Sequence, residues 1–444
     1  MSENWTKMTA CDLGRGIESG QIDPVELATG VFSAIKSHPD QNRIYARLSE
    51  ERAMSEAHAA KKRAHSKTRR SLLDGVPISW KDLFDTAQIG TESGAALLKG
   101  RVPARDAEVV ENASHSGLVC LGKTHQTELA FSGLGVNPTT QTPPNSINPP
   151  LAPGGSSSGA AVSTALGLAA AGIGSDTGGS VRIPAAWNDL VGLKTTSGLL
   201  SLEGVVPLCA TFDTVGPLCR SVEDANHLTA AMAGTAPHDL KNPNLKGKRL
   251  FVCESVALDD CDVEVLEAFE TSVSALIEGG AIVERGPIAQ IAKAMPLSSS
   301  LFAPEAYATW RTEIEMSPEA MFAPVLARFR AGADVSAVTY VQASQQLDAL
   351  RKDYTSWMAS YDAVLIPTSP ILPPETAKLL ADEDYFTERN LLALRNTRIG
   401  NLMGLCALTL PTNRAHCGLM MMGHPFGEAS LLRLGSAAEA ILRG

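Results

Sequence analysis

Aromatic residues make up only 5% of the 444-residue chain, and none stands within its one basic run, KKRAHSKTRR at 61–70. Base stacking on a positive platform therefore has no support, and the run reads as a solvated helix end and loop. Positive charge is also scarce: 38 Lys and Arg against 48 Asp and Glu leave a formal net charge of −10. Nucleic-acid binding, which draws on basic patches, is not expected. No apolar stretch reaches the roughly 20 residues of a membrane span without Gly and Ser interrupting it. The opening MSENWTKMTACDLGRG lacks the basic start and apolar segment of a secretory signal. The eight cysteines are scattered, with no CxxC pair. Reduced thiols and a cytoplasmic location are the expectation.

Several chemistries are missing their motifs. GIGSDTGG puts Thr177 where a dinucleotide fingerprint needs its third glycine, so that kind of phosphate cradle is not expected there. Nine histidines include no HExxH and no close pair beside carboxylates, which argues against a metal site and leaves a Ser-His-Asp triad without its base. GSSSG at 155–159 matches GxSxG formally, but the prolines of NSINPPLAPG stand where that motif needs a strand. Ser33 and Lys36 match SxxK on an amphipathic helix without the companion motifs.

What is present is a globular composition, 44% hydrophobic and 19% charged. Asp23 as N-cap, Pro24 at the first helical position and Glu26 three residues after the cap open a helix that carries Leu27, Val31, Phe32 and Ile35 on one face. Strand-like runs at LLDGVPISW, GLVCLGKT, LKGKRLFVCES, GGAIVERGP, YDAVLIP, LCALTLP and GLMMMG alternate with helical stretches, so an α/β sheet is expected. The stretch GGSSSGAAVSTALGLAAAGIGSDTGGS carries Val162, Leu166, Leu168 and Ile173, which a flexible linker would not. It reads as a tightly packed small-residue helix. Without repeats or a convincing linker, residues 1–444 read as one large domain.

A serine nucleophile would need a base other than histidine. Lys81 closes an apolar run, where burial would lower its pKa, and it is either that base or an ion-pair partner of Asp82 or Asp85. Lys81, GGSSSG at 154–159 and GSDTGGSVRIPA at 174–185 together resemble the amidase signature family of Ser-Ser-Lys hydrolases, as does the 24-residue separation of Ser156 and Ser180. The resemblance extends through GKTHQTELAFSGLGVNP, VGLKTTSGLL, FDTVGPLCRSVEDA and GLMMMGHPFGEASLLRL, most of the chain.

The resemblance implies a single α/β/α domain with a central mixed, twisted sheet covered by helices. Its N-terminal helices would span about 1–65, its catalytic core about 71–220 and a variable, substrate-shaping part about 240–400. It also implies that Ser180 is the nucleophile, Ser156 a bridging serine after a cis peptide bond and Lys81 the base. The N–H groups of Thr177, Gly178, Gly179 and Ser180 would form the oxyanion hole, with Ser132 and Gly133 at the substrate. Asp176 and Arg182 would brace the loop. The expected reaction is hydrolysis of a small-molecule amide without metal or organic cofactor, and a homodimer accords with the family. Alternatives within the resemblance are a partner-dependent glutamyl-tRNA amidotransferase component of the A type and a biuret or urea-derivative hydrolase. Trp187, Asn188 and Thr196 depart from the residues common in relatives. The 300–345 segment shows no diagnostic charge pattern.

Overall fold

The computed structural model describes residues 5–443. Eleven strands form one sheet: β1 Tyr45–Leu48, β2 Pro77–Lys81, β3 Val119–Thr124, β4 Ala171–Ser175, β5 Val191–Lys194, β6 Val215–Cys219, β7 Arg249–Cys253, β8 Ile282–Gly286, β9 Ala363–Pro367, β10 Ala407–Pro411 and β11 Gly418–Met422. Their order is β1-β3-β2-β4-β6-β5-β10-β11-β9-β7-β8. Parallel pairing joins β2 to β3 and β4, and β7 to β8 and β9. The other pairs are antiparallel, so the sheet is mixed.

The interior strands are buried on both faces, because helices flank the sheet. Every residue of β2, β3, β4, β6, β9 and β11 is buried, and the consecutive Met420, Met421 and Met422 show no alternation between core and solvent. That is the pattern of strands covered on two sides. At the edge, β8 buries only Gly286 fully.

The expected first helix spans Pro24–Ser37, and the Asp23 carboxylate accepts from the N–H groups of Val25 and Glu26. The basic run lies on the end of helix Glu50–Ser66 and the loop beyond. Only part of it is solvated: Arg63 pairs with the buried Asp74, and Arg69 donates to the Leu72 and Asp74 carbonyls. Ser33 and Lys36 sit on the first helix, where Lys36 pairs with Glu50. No strand precedes GSSSG; Leu151 makes one isolated bridge to Glu375. Among the described residues no helix is long and apolar enough to cross a membrane.

Candidate active site

Lys81 ends β2 and is wholly buried. Its Nζ donates to Ser156 Oγ at 2.7 Å and to Ser175 Oγ at 2.8 Å. The two nearby carboxylates are engaged elsewhere: Asp82 with Arg47, and Asp85 with both terminal nitrogens of Arg101. The ion-pair reading of Lys81 is thereby excluded. Burial pushes the Lys81 pKa down to about 7, against the attraction of Asp213 and Asp176.

Ser156 reaches this position through the turn before the helix Ser158–Ala165, and the Gly155–Ser156 peptide bond is cis. The Thr127 N–H donates to the Ser156 carbonyl (3.2 Å), and the Ser157 N–H to the Ser180 carbonyl (3.2 Å). Ser157 and Ser158 support the segment through hydroxyl bonds to the carbonyls of Ser175 and His125. The glycines of β4 let the segment approach. A Cβ on Gly172 would lie 2.5 Å from the Ala160 carbonyl oxygen, and one on Gly174 would lie 2.5 Å from Ser157 Oγ.

The loop carrying Ser180 is built around Asp176. Arg182 binds its two carboxylate oxygens at 2.8 and 2.9 Å, with both side chains fully buried. Arg182 donates further to the Thr397 carbonyl (2.7 Å), Asn401 Oδ1 (2.6 Å) and Met420 Sδ (3.2 Å). Burial works to raise the Asp176 pKa, but the Arg182 charge and hydrogen bonds outweigh it and hold the carboxyl well below the usual range. The bracing pair expected from the sequence is therefore present. Thr397 Oγ1 closes the far side on the Gly178 carbonyl (2.7 Å), and Thr177 Oγ1 donates to Asp213 (2.5 Å).

One expected feature of this loop is corrected. The Gly179 N–H does not face the cavity but donates to Asp176 Oδ1 at 2.8 Å, because the carboxylate fixed by Arg182 lies under the turn. The N–H groups of Thr177, Gly178 and Ser180 have no acceptor among the described residues.

Ser180, Thr177 and Gly178 line a cavity of about 310 Å³. Ser132 lines it too, with its hydroxyl given to Asn390 Oδ1 at 3.1 Å. Gly133 does not. Its N–H bonds Asn390 Oδ1 (2.8 Å), its carbonyl accepts from Gly155, and a Cβ there would meet Leu394 at 2.8 Å, so it is a packing position. Arg328 and Arg398 also line the cavity, and no spacing in the sequence joins them. Sequence reasoning also misses Ser175, although it directly follows Gly174 at the end of a strand beside β2.

Of the departures from common residues, Trp187 and Asn188 bond backbone carbonyls behind the loop, at Ile371 and at Pro153 and Pro184. Thr196 contacts Glu428 and Phe426. Among the described residues Cys11, Glu223 and His227 are grouped closely enough to ligate a metal, but none lines the cavity. Burial and nearby acids raise the Cys11 thiol far above its usual range, and Arg15 already holds Glu223.

The amidase family model matches residues 28–432. The chain belongs to the amidase family. Among curated relatives, a 2-amino-5-chloromuconic acid deaminase from Comamonas testosteroni is 35% identical, with 83% of this chain and 82% of that protein covered. The A-type component of the glutamyl-tRNA(Gln) amidotransferase from Lachnospira eligens is 27% identical over 97% of each. Among solved structures, an amidase superposes with a TM-score of 0.88 at 29% identity, covering 98% of this chain and all of the other. A peptide amidase bound to chymostatin superposes with a TM-score of 0.81 at 25% identity, over 98% of both.

Proposed function

We propose that the protein hydrolyses a carbon–nitrogen bond of a small molecule, with Ser180 as nucleophile, Ser156 as proton relay and Lys81 as base. The observation that carries this reading is the fully buried Lys81, held on two serine hydroxyls with no carboxylate partner. An amine with a pKa near 7 is substantially neutral at physiological pH, so its lone pair can receive a proton across the 2.7 Å contact with Ser156 Oγ.

In the proposed reaction Ser180 Oγ attacks the carbonyl carbon while its proton passes to Ser156, whose own proton passes to Lys81. The oxygen that becomes negative is met by the free N–H groups of Thr177, Gly178 and Ser180. The C–N bond then breaks, the relay returns a proton to the departing nitrogen, and Ser180 is left acylated. Water, deprotonated through the same relay, releases a carboxylate and regenerates the serine. No step calls on a cofactor.

The family match and the naming of two relatives for deamination and amidotransfer support nitrogen release as the chemistry. A partner-dependent amidotransferase role is the second reading, favoured by relatives of that kind that span 97% of the chain. Both readings are tested by measuring ammonia release from glutamine, primary amides and biuret, and aniline release from anilides, by the purified chain and by Ser180→Ala. Activity in the wild type alone is expected. Equal activity in both proteins would overturn the assignment of Ser180, and turnover by the lone chain would remove the need for a partner.

A further inference from the structure

The cavity that holds Ser180 has a cationic wall with no anion on it. Arg328, from helix Ala323–Arg330, and Arg398, from helix Arg395–Leu402, both line it, and its lining includes neither Asp nor Glu. Arg328 gives one N–H to the Phe131 carbonyl (3.0 Å) and lies over the Phe131 ring at 4.2 Å, which fixes its plane without neutralising it. The Arg398 guanidinium has no hydrogen bond or ion pair with any described residue. The buried Glu128, two residues before the lining residue Ala130, accepts from the Phe322 N–H, and burial raises its pKa to about 7.

Elsewhere several half-buried and buried arginines are paired with acids. Arg182 meets Asp176, Arg52 meets Asp106 and Glu56, Arg63 meets Asp74, and Arg47 meets Asp82 and Glu92. Arg69 and Arg220 instead donate to backbone carbonyls, and Arg351 does so while also pairing with Asp348. Two adjacent arginines with a single carbonyl bond between them and no acid among the described residues, in a chain of net charge −10, stand apart from these. Burial and the neighbouring Arg398 charge push the Arg328 pKa down to about 9, and burial pushes that of Arg398 down to about 10. Both remain cations at neutral pH, and an anion entering the cavity would relieve the mismatch.

We infer that Arg328 and Arg398 bind a carboxylate of the substrate, so that the cavity selects amides of small organic acids over neutral amides. The inference rests on the hydrolase reading above for its reaction and on the arginines alone for its selectivity. The planar donor fork of arginine matches a carboxylate in a way a point charge does not. The apolar lining from Phe131, Leu208, Phe302 and Leu394 suits a short hydrocarbon body between that carboxylate and the scissile bond. At about 310 Å³ the cavity is at the small end of ligand sites.

Two measurements test this separately from the chemistry. In the first, wild type, Arg328→Met, Arg398→Met and the two Arg→Lys variants are assayed on succinamate, glutaramate and alkyl amides of matching length, with thermal melts to verify folding. The wild type should prefer the acid amides by about 100-fold in kcat/KM, and each Met variant should lose at least about tenfold of that ratio, mainly through KM. Each Lys variant should recover part of it. In the second, calorimetry measures succinate binding to wild type and the Met variants, which requires no turnover. Arginine-dependent binding without hydrolysis of any amide would sink the hydrolase reading and leave the anion site standing. Hydrolysis of neutral amides with an unchanged ratio in the folded Met variants, or no arginine-dependent succinate binding, would overturn the anion site.

Discussion

Lys81 and Lys194 sit at the ends of two strands of the same sheet, each wholly or almost wholly buried and each bonded to two oxygens at 2.7 and 2.8 Å. Burial pushes the pKa of the first down to about 7 and that of the second to about 8. What separates them is the chemistry of the oxygens. Lys81 faces the hydroxyls of Ser156 and Ser175, which have protons to give, whereas Lys194 faces the carbonyls of Thr195 and Leu405, which have none. A lowered pKa makes a lysine available as a base, but only a proton donor beside it gives that availability a use.

The comparison is broken most severely by deleting the base. Lys81→Met is expected to cost about 10⁴-fold or more in kcat while the protein stays folded, since a buried amine is replaced by an apolar chain of similar length. Lys194→Met should leave kcat within a small factor. Steady-state kinetics beside a thermal melt would check both, and comparable kinetic losses would abolish the distinction.

The next effect falls on the shared scaffold. Asp176→Asn leaves the Arg182 charge uncompensated in the interior, and a loss of about 3–5 kcal/mol in denaturant unfolding is expected. Ser175→Ala should be milder, about 10- to 100-fold in kcat/KM, because it removes one hydrogen bond that orients Lys81 but leaves Ser156 in place.

The smallest effects are in pH dependence. Rate on neutral amides should rise as pH passes about 7, because the proposed base works without its proton. Lys194 holds its proton less tightly in the folded chain than in the unfolded one. Between about pH 8 and the free-lysine value, about 10.4, the unfolded state therefore binds more protons and stability rises with pH. Lys194→Met should flatten that rise in melts across the range without moving the kinetic inflection. A shifted inflection would mean that Lys194 also takes part in the proton relay.

The proposed residues Lys81, Ser156 and Ser180 are marked in the sequence by the family resemblance, and the apolar run before Lys81 accounts for its burial. An α/β sheet is legible from alternating strand and helix patterns, whereas its mixed character is implied only by the family resemblance. Which N–H groups of the glycine loop turn inward is not legible, because that depends on Asp176, whose position is set by Arg182 and by Asn401 far along the chain. Gly133 misleads for the same reason, since its packing against Leu394 exists only in the folded chain. Arg328 and Arg398 come from separate helices of the segment with the weakest sequence signal, and no local spacing brings them together.

The strand order also imposes a sequence in time. The hairpin β10–β11, near the end of the chain, lies between the group β1-β3-β2-β4-β6-β5 and the group β9-β7-β8. The same late region supplies Thr397, Asn401 and Met420 to Arg182. A ribosome that has made every proposed reacting residue, all by Ser180, still holds an unfinished machine, and a chain stalled before Ala407 should release no ammonia. The closing stretch of synthesis acts as the keystone, joining two half-sheets and locking the serine loop in one event.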